Sequence, residues 1–250
     1  VVEWLPVTTG ESGARVFRSA DGTRYRKVVD ATGTAELAAE RDRIGWVEAH
    51  GIPGPTVLDW RCTAADAEMV TSAVVGTPAD QLRPDDLAAA WPAIVAAVRA
   101  LHGVPVGECP YRRDLDAMLA RARDIVARDA VYRDFLSEED RAVPAVRLLE
   151  RVERDAERRR AQEALDAVVC HGDLCLPNVI VDGADVAGFV DLGRLGVADP
   201  HADLSLLLES TRQTFPGFAG AARVLVDERY PRRIDGDRLR FYLWLDPLTW

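Results

Sequence analysis

His171-Gly172-Asp173-Leu174-Cys175-Leu176-Pro177-Asn178 is followed, 13 residues after Asn178, by Asp191-Leu192-Gly193-Arg194. The first segment lies between two short apolar runs, Val168-Val169-Cys170 and Val179-Ile180-Val181, that read as strands, and Val186 to Leu192 reads as a third. A polar loop between such strands puts Asp173 and Asn178 at one edge of a small sheet, and the next strand delivers Asp191 beside them. Two carboxylates and an amide converge. Hard oxygen donors in that number suit Mg²⁺, which keeps several waters and binds through one or two carboxylates together with substrate phosphates. A lone loop aspartate usually caps a turn. The ordered set His-Gly-Asp, Pro-Asn, Asp-Leu-Gly is a far rarer coincidence than that.

Working outward, the first seventy residues read as strands with one helix. Asp21-Gly22 is a hairpin signal leading from Ala14-Arg15-Val16-Phe17-Arg18 into Thr23 to Val29. A helix is expected from Thr34, with Leu37, Ile44 and Val47 at near-helical spacing, and strands at 57–60 and 67–71. Gly76-Thr77-Pro78 is the first strong break, and a hinge is expected there. Beyond it the pattern turns helical: Asp85 to His102, the stripe Leu115, Met118, Leu119, Ala122, Ile125 and Val126, one charged helix over Pro144 to Asp166, another around His201 to Thr211, and Arg238 to Leu245. Trp91, Tyr242 and Trp244 are expected in the core.

The 31 basic residues are 30 arginines and one lysine, Lys27, on the returning strand of the first hairpin. A compact ammonium fits a narrow phosphate slot that a wide guanidinium fork does not, which makes the solitary lysine a candidate phosphate ligand rather than a relic of an Arg-rich composition. The chain has 250 residues, 48% hydrophobic and 29% charged, with a formal charge of −10. That composition excludes disordered, collagen-like and disulfide-scaffold classes and argues against nucleic-acid binding. The longest apolar run, Ala88 to Val98, is too short for a membrane span. Val1 to Gly10 lacks a secretory pattern, and Cys62, Cys109, Cys170 and Cys175 are sparse enough to be reduced thiols in a cytoplasm. A monomer is expected.

The catalytic segment resembles the protein-kinase catalytic loop in the variant seen in the aminoglycoside phosphotransferase family. The resemblance implies an α+β, two-lobed, protein-kinase-like fold: an N-terminal nucleotide-binding β lobe with one helix over 1–75, and a larger, mainly helical lobe over 76–250. The latter would hold the catalytic loop (168–194) and a helical substrate-binding insertion (about 111–165). By that resemblance Asp173 orients the acceptor hydroxyl and takes its proton, Asn178 and Asp191 hold Mg²⁺, and Lys27 grips the phosphates of ATP with Glu40 as its ion-pair partner. Taken alone, Glu40 reads as part of a solvated helix face, and Glu36 could substitute. Ser12 and Gly13 would lie in the loop covering the phosphates, and the backbone near Ser72 and Ala73 would meet the adenine edge.

Further segments, among them Trp4-Leu5-Pro6-Val7, Asp191 to Gly196 and Leu245 to Trp250, are similar to the branch of that family that phosphorylates streptomycin at its 3''-hydroxyl. Streptomycin carries guanidinium groups, so carboxylates are expected in its pocket. Asp246, the Trp250 carboxylate and Glu209 are candidates, with Arg194 near the acceptor and the phosphoryl group. Asp246 could equally be a surface residue at a helix end, and Arg194 a salt-bridge partner of Asp199 or Asp203. Competing readings are a kinase of another aminoglycoside, of choline or of homoserine, and a kinase-like binding module without turnover. The Cys170, His171, Cys175 grouping lacks zinc-ligand spacing, no P-loop motif is present, and His102 and His201 read as packed or capping residues.

Overall fold

The computed structural model describes residues 2–7 and 14–250. The candidate phosphate-covering residues Ser12 and Gly13 lie outside the described residues. In chain order the elements are β1 (Trp4–Val7), β2 (Arg15–Ser19), β3 (Arg24–Asp30), α1 (Thr34–Ala49), β4 (Val57–Cys62), β5 (Asp66–Ser72), β6 (Thr77–Pro78), α2 (Pro84–His102), α3 (Leu115–Ala127), α4 (Ala145–Glu153), α5 (Ala156–Asp166), β7 (Val168–Cys170), β8 (Val179–Asp182), β9 (Asp185–Phe189), β10 (Gly196–Ala198), α6 (Pro200–Thr214), α7 (Ala219–Arg229) and α8 (Gly236–Leu245). The α+β class, with an antiparallel N-terminal sheet and a mainly helical remainder, is the expected one. Among the described residues no helix is long and apolar enough to cross a membrane.

Two compact units make up the chain, one of residues 1–93 and 177–194, the other of 94–176 and 195–250. In the first, five strands pair antiparallel in the order β1-β2-β3-β5-β4. The β2–β3 turn closes as Asp21-Gly22 implied: Gly22 sits at φ +74°, and Asp21 Oδ1 accepts from the Ser19 hydroxyl at 2.6 Å and the Thr23 N–H at 3.0 Å. Helix α1 buries Leu37, Ile44 and Val47 and, on the same face, one carboxylate, Glu40.

The expected boundary at 75/76 is not where the units divide. Strand β6 pairs with β8, which pairs with β9, so the hairpin after the catalytic loop joins the N-terminal strands. Two glycines make that possible. Gly76 has φ +143°, and a Cβ there would stand 2.5 Å from the Val181 carbonyl oxygen. At Gly188 a Cβ would stand 3.0 Å from both Gly54 N and Pro53 C, where β9 passes the backbone leading into β4 and the Phe189 N–H donates to the Pro53 carbonyl at 2.9 Å. No side chain fits either approach.

In the second unit β7 and β10 pair antiparallel, and the core joins Leu115, Met118 and Leu119 of α3 to Leu148 and Val152 of α4 and Phe241, Tyr242 and Leu245 of α8. Tyr242 is core, as Trp91 is in its own setting. Trp244 is partly buried against the same core, with the Arg151 guanidinium 4.2 Å from its ring centroid. The single helix expected over 144–166 is two, broken at Arg154-Asp155. Its buried positions 145, 148, 149, 152, 156, 159 and 163 keep 3–4 spacing straight through the break, so the periodicity carried no sign of it. Helix α7 and strand β10 were not anticipated.

Glu163 on α5 accepts from the Leu115 N–H that opens α3, at 3.0 and 3.1 Å to its two oxygens, and from the Asp199 N–H at 3.2 Å. Burial, with Asp199 and Asp114 nearby, pushes its carboxyl up to about 7 against those donors. The folded chain therefore binds a proton that the unfolded chain has lost, and the stability this contributes is full below pH 4.5 and fades as pH rises toward 7. Glu163→Gln is expected to flatten the pH dependence of Tm over that interval. A melting series across pH 4.5–8 that keeps the wild-type slope would contradict this.

Candidate active site

Lys27 sits in mid-β3, opposite Val16 of β2 and Met69 of β5. Its ammonium donates to both carboxylate oxygens of Glu40 at 2.9 Å and to Asp191 Oδ1 at 3.1 Å. Burial alone would lower its pKa, but the two carboxylates reverse this and hold it well above the usual lysine value. Burial pushes the Glu40 carboxyl up, and the ammonium against it opposes that shift. Glu40, not the exposed Glu36 one turn earlier, is the partner, because it falls on the buried face of α1. The solvated-face alternative for Glu40 is excluded by the same contact.

Asn178 and Asp191 bracket the β8–β9 hairpin. Val179 pairs with Phe189, and the Val190 N–H donates to the Asn178 carbonyl at 3.0 Å, so the antiparallel return brings both residues to one end of the sheet. Asn178 is buried. Asp191 is one of two non-glycine residues at positive φ among the described residues, at +60°. A branched carboxylate in that region marks a backbone bent to aim a side chain, and 51% of the side chain is exposed. One carboxylate and one amide oxygen at a strand end, beside an ammonium, is a donor set that fits Mg²⁺ better than any softer ion.

Asp173 belongs to the second unit, in the loop after β7. It is held there through its main chain: its N–H donates to His171 Nδ1 at 3.2 Å, and its carbonyl accepts from the Cys175 N–H at 2.9 Å. The preceding peptide groups are clamped by Asp203, whose Oδ2 accepts from the His171 N–H at 2.6 Å and Oδ1 from the Gly172 N–H at 2.8 Å. In the sequence Asp203 reads only as a candidate partner of Arg194, with no sign of this clamp, its one signal being a carboxylate beside the apolar Leu204 and Leu207 of α6.

The remaining candidates divide. The Ser72 N–H donates to the Thr56 carbonyl and the Ala73 N–H to the Thr23 carbonyl, at 2.9 and 2.8 Å, so those two amides are committed to neighbouring backbone. Glu209 is bound by Arg212 at 2.6 and 2.9 Å and by Gln213 at 2.9 Å, which holds its carboxyl below the usual range; it lines a cavity of about 190 Å³ with Ser205, Leu208 and Leu243. Asp246 is buried and not at the surface, accepting from Arg113 at 3.0 Å and from the Trp250 indole N–H at 2.9 Å, while the Trp250 ring meets Phe135 edge-on at 5.3 Å. Arg194 is half-buried. Of the partners considered for it, Asp199 also binds His201 and Arg238, and Asp203 binds His102 and the two loop amides.

His201 is a capping and packing residue, as expected, bound to Asp199 and accepting from the Asp235 N–H. Among the described residues, His102, Cys170 and Asp203 bring potential ligand atoms within 4.8 Å of one another. They do not form a metal site. Burial keeps the Cys170 thiol protonated, it donates to the Asp199 carbonyl, and the Asp203 oxygens are spent on backbone N–H groups.

The sequence matches the phosphotransferase enzyme family over residues 3–242. It is 56% identical to the streptomycin 3''-kinase of Streptomyces griseus, covering 99% of this chain and 93% of that one. It is 39% identical to the aminoglycoside 3'-phosphotransferase of Streptomyces fradiae, covering 98% and 94%. The fold superimposes on aminoglycoside phosphotransferase APH(3'')-Id from Streptomyces rimosus in complex with ADP and streptomycin with a TM-score of 0.93, at 52% identity over 99% of this chain and 92% of that one.

Proposed function

The chain belongs to the phosphotransferase enzyme family, and from that premise we propose that it phosphorylates streptomycin, moving the γ-phosphoryl group of ATP to the 3''-hydroxyl. The observation that carries the chemistry is the Lys27 ammonium shared between Glu40 and Asp191, which is a cation fixed in place for phosphate oxygens. The similarity to a streptomycin 3''-kinase and to a fold that binds ADP and streptomycin supports the acceptor.

Asn178 and Asp191 would hold Mg²⁺, which neutralises charge on the β- and γ-phosphates when bound. Lys27, locked by Glu40, orients the nucleotide phosphates without reorganising during the reaction. Asp173 accepts a hydrogen bond from the acceptor hydroxyl. As the new O–P bond forms and the bond to the β-phosphate bridging oxygen breaks, the hydroxyl proton passes to Asp173. Arg194 is assigned to the acceptor and the transferring group. Of the three carboxylates proposed for the guanidinium groups of streptomycin, Glu209 is better suited than Asp246, because its partner Arg212 is exposed and can be exchanged, whereas Asp246 is buried under Arg113 and Trp250.

The test is an acceptor screen with Mg²⁺ and ATP against streptomycin, kanamycin, choline and homoserine, reading ADP release and the phosphorylated position by NMR. Turnover is expected with streptomycin, with one phosphoryl group on the 3''-oxygen. Turnover with kanamycin alone would move the acceptor to the 3' class, and binding without ADP release from any acceptor would leave a binding module.

A further inference from the structure

Tyr230 follows α7 and stands outside every motif that the reaction uses. It is buried, and its hydroxyl lies 2.7 Å from His102 Nδ1, the two rings meeting edge-on at 5.7 Å. His102 is the last residue of α2, and its Nε2 lies 3.1 Å from Asp203 Oδ2. That same oxygen accepts the His171 N–H. A continuous buried chain of four hydrogen-bonding groups thus runs from a turn beyond α7 to the peptide that opens the catalytic loop.

The protons in this chain have a definite order. Burial works to raise Asp203, but His102, His171 and the Gly172 N–H outweigh it and hold the carboxyl below its usual range, so Asp203 only accepts. Its neighbour Nε2 therefore carries hydrogen. Nδ1 faces the Tyr230 hydroxyl. Burial holds the Tyr230 phenol well above the usual tyrosine value, so its O–H stays protonated and can donate to Nδ1.

We propose that Tyr230 is a positioning residue for phosphoryl transfer: its hydroxyl, bonded to Nδ1, holds the His102 ring so that Nε2 stays on Asp203, and Asp203 holds the two peptide groups leading into Asp173. The inference rests on the phosphotransferase reading and adds to it a residue far from the reacting atoms. With phenylalanine at 230, Nδ1 is buried without a donor. The imidazole then loses one of the two bonds that fix its plane and can turn away from Asp203. The charged and titratable groups facing this pair are Asp203, Asp199, Cys170, His171 and Arg232.

The test is Tyr230→Phe, His102→Gln and the double variant, in the full chain with ATP and streptomycin. Tyr230→Phe is expected to lower kcat about tenfold, the scale of one lost buried hydrogen bond, with KM for ATP within twofold. In the His102→Gln background the same change should cost nothing further, because Tyr230 acts only through His102. The chain has four histidines, so ¹⁵N imidazole shifts can report the hydrogen bond at His102 Nδ1 directly: present in the wild type, lost in Tyr230→Phe. An active wild type with unchanged kcat in Tyr230→Phe overturns the proposal, as does a lowered Tm with full kcat per folded molecule, or an additive double variant. A wild type inert toward every acceptor overturns the kinase reading itself and takes this proposal with it.

Discussion

Asp173→Asn is expected to lower turnover by about 10³-fold, within the range that a positioned general base contributes, while nucleotide affinity stays at its wild-type value. The substitution is nearly isosteric, and two hydrogen bonds that hold residue 173 in its loop are made by main-chain atoms, to His171 Nδ1 and from the Cys175 N–H. The Asp203 clamp on His171 and Gly172 is likewise blind to the side chain at 173. What the variant loses is the basic oxygen. An amide can still accept a hydrogen bond from the acceptor hydroxyl, but it cannot take the proton when the O–P bond forms. The groups assigned to the nucleotide, Lys27, Glu40, Asn178 and Asp191, belong to the other compact unit and keep their contacts. Steady-state kinetics with streptomycin, paired with calorimetric titration of a non-hydrolysable ATP analogue, separates the two quantities. A variant retaining a tenth or more of wild-type turnover would remove Asp173 from its role.

The parts of this site that could be read from the sequence are those whose chemistry is local. His171-Gly172-Asp173, Asn178 and Asp191 lie within 21 residues, and the strand pattern around them predicts the hairpin that brings the last two to one end. Lys27 was legible by scarcity, and Glu40 through its relation to Lys27; its place on the apolar stripe of Leu37, Ile44 and Val47 was a second signal, set against the general preference of a carboxylate for a solvated helix face. The supporting shell was not legible. Asp203 lies 31 residues from Gly172, His102 lies 101 from Asp203, and Tyr230 128 from His102, and no periodicity links positions so far apart. The division into compact units was not legible for a related reason. Gly76-Thr77-Pro78 reads as the break after the N-terminal strands, but pairing of Thr77 with Val181 and the bare backbone passage of Gly188 against Gly54 attach the later hairpin to the earlier strands. Glycine at 188 reads in sequence as a weak point in a strand, and only the backbone opposite it explains the residue.

Lys27→Arg is expected to reduce kcat/KM for ATP by about 10²-fold, the scale of removing one preorganised donor from a transferring charge, with little change in Tm. Charge is conserved, so the buried Glu40 carboxylate keeps a cation. The geometry is not conserved. A guanidinium presents a planar fork that pairs with a carboxylate through two parallel bonds, and Glu40 already offers both oxygens at 2.9 Å. The fork is drawn flat onto Glu40, its remaining N–H groups point where the fork dictates, and the single point charge that bridged Glu40 to Asp191 is gone. Lys27→Ala confounds two effects, because Glu40, pushed up by burial, then loses its counter-ion, at a cost of about 3 kcal/mol for breaking a buried pair. The arginine variant isolates the catalytic part, and rates measured against ATP concentration with Tm recorded in parallel test it. Arginine replaces lysine at every other basic position of this chain, so an unimpaired Lys27→Arg would mean that position 27 kept its lysine by accident. A loss confined to kcat/KM would mean that the one site unable to take the wider cation is the one that holds phosphate.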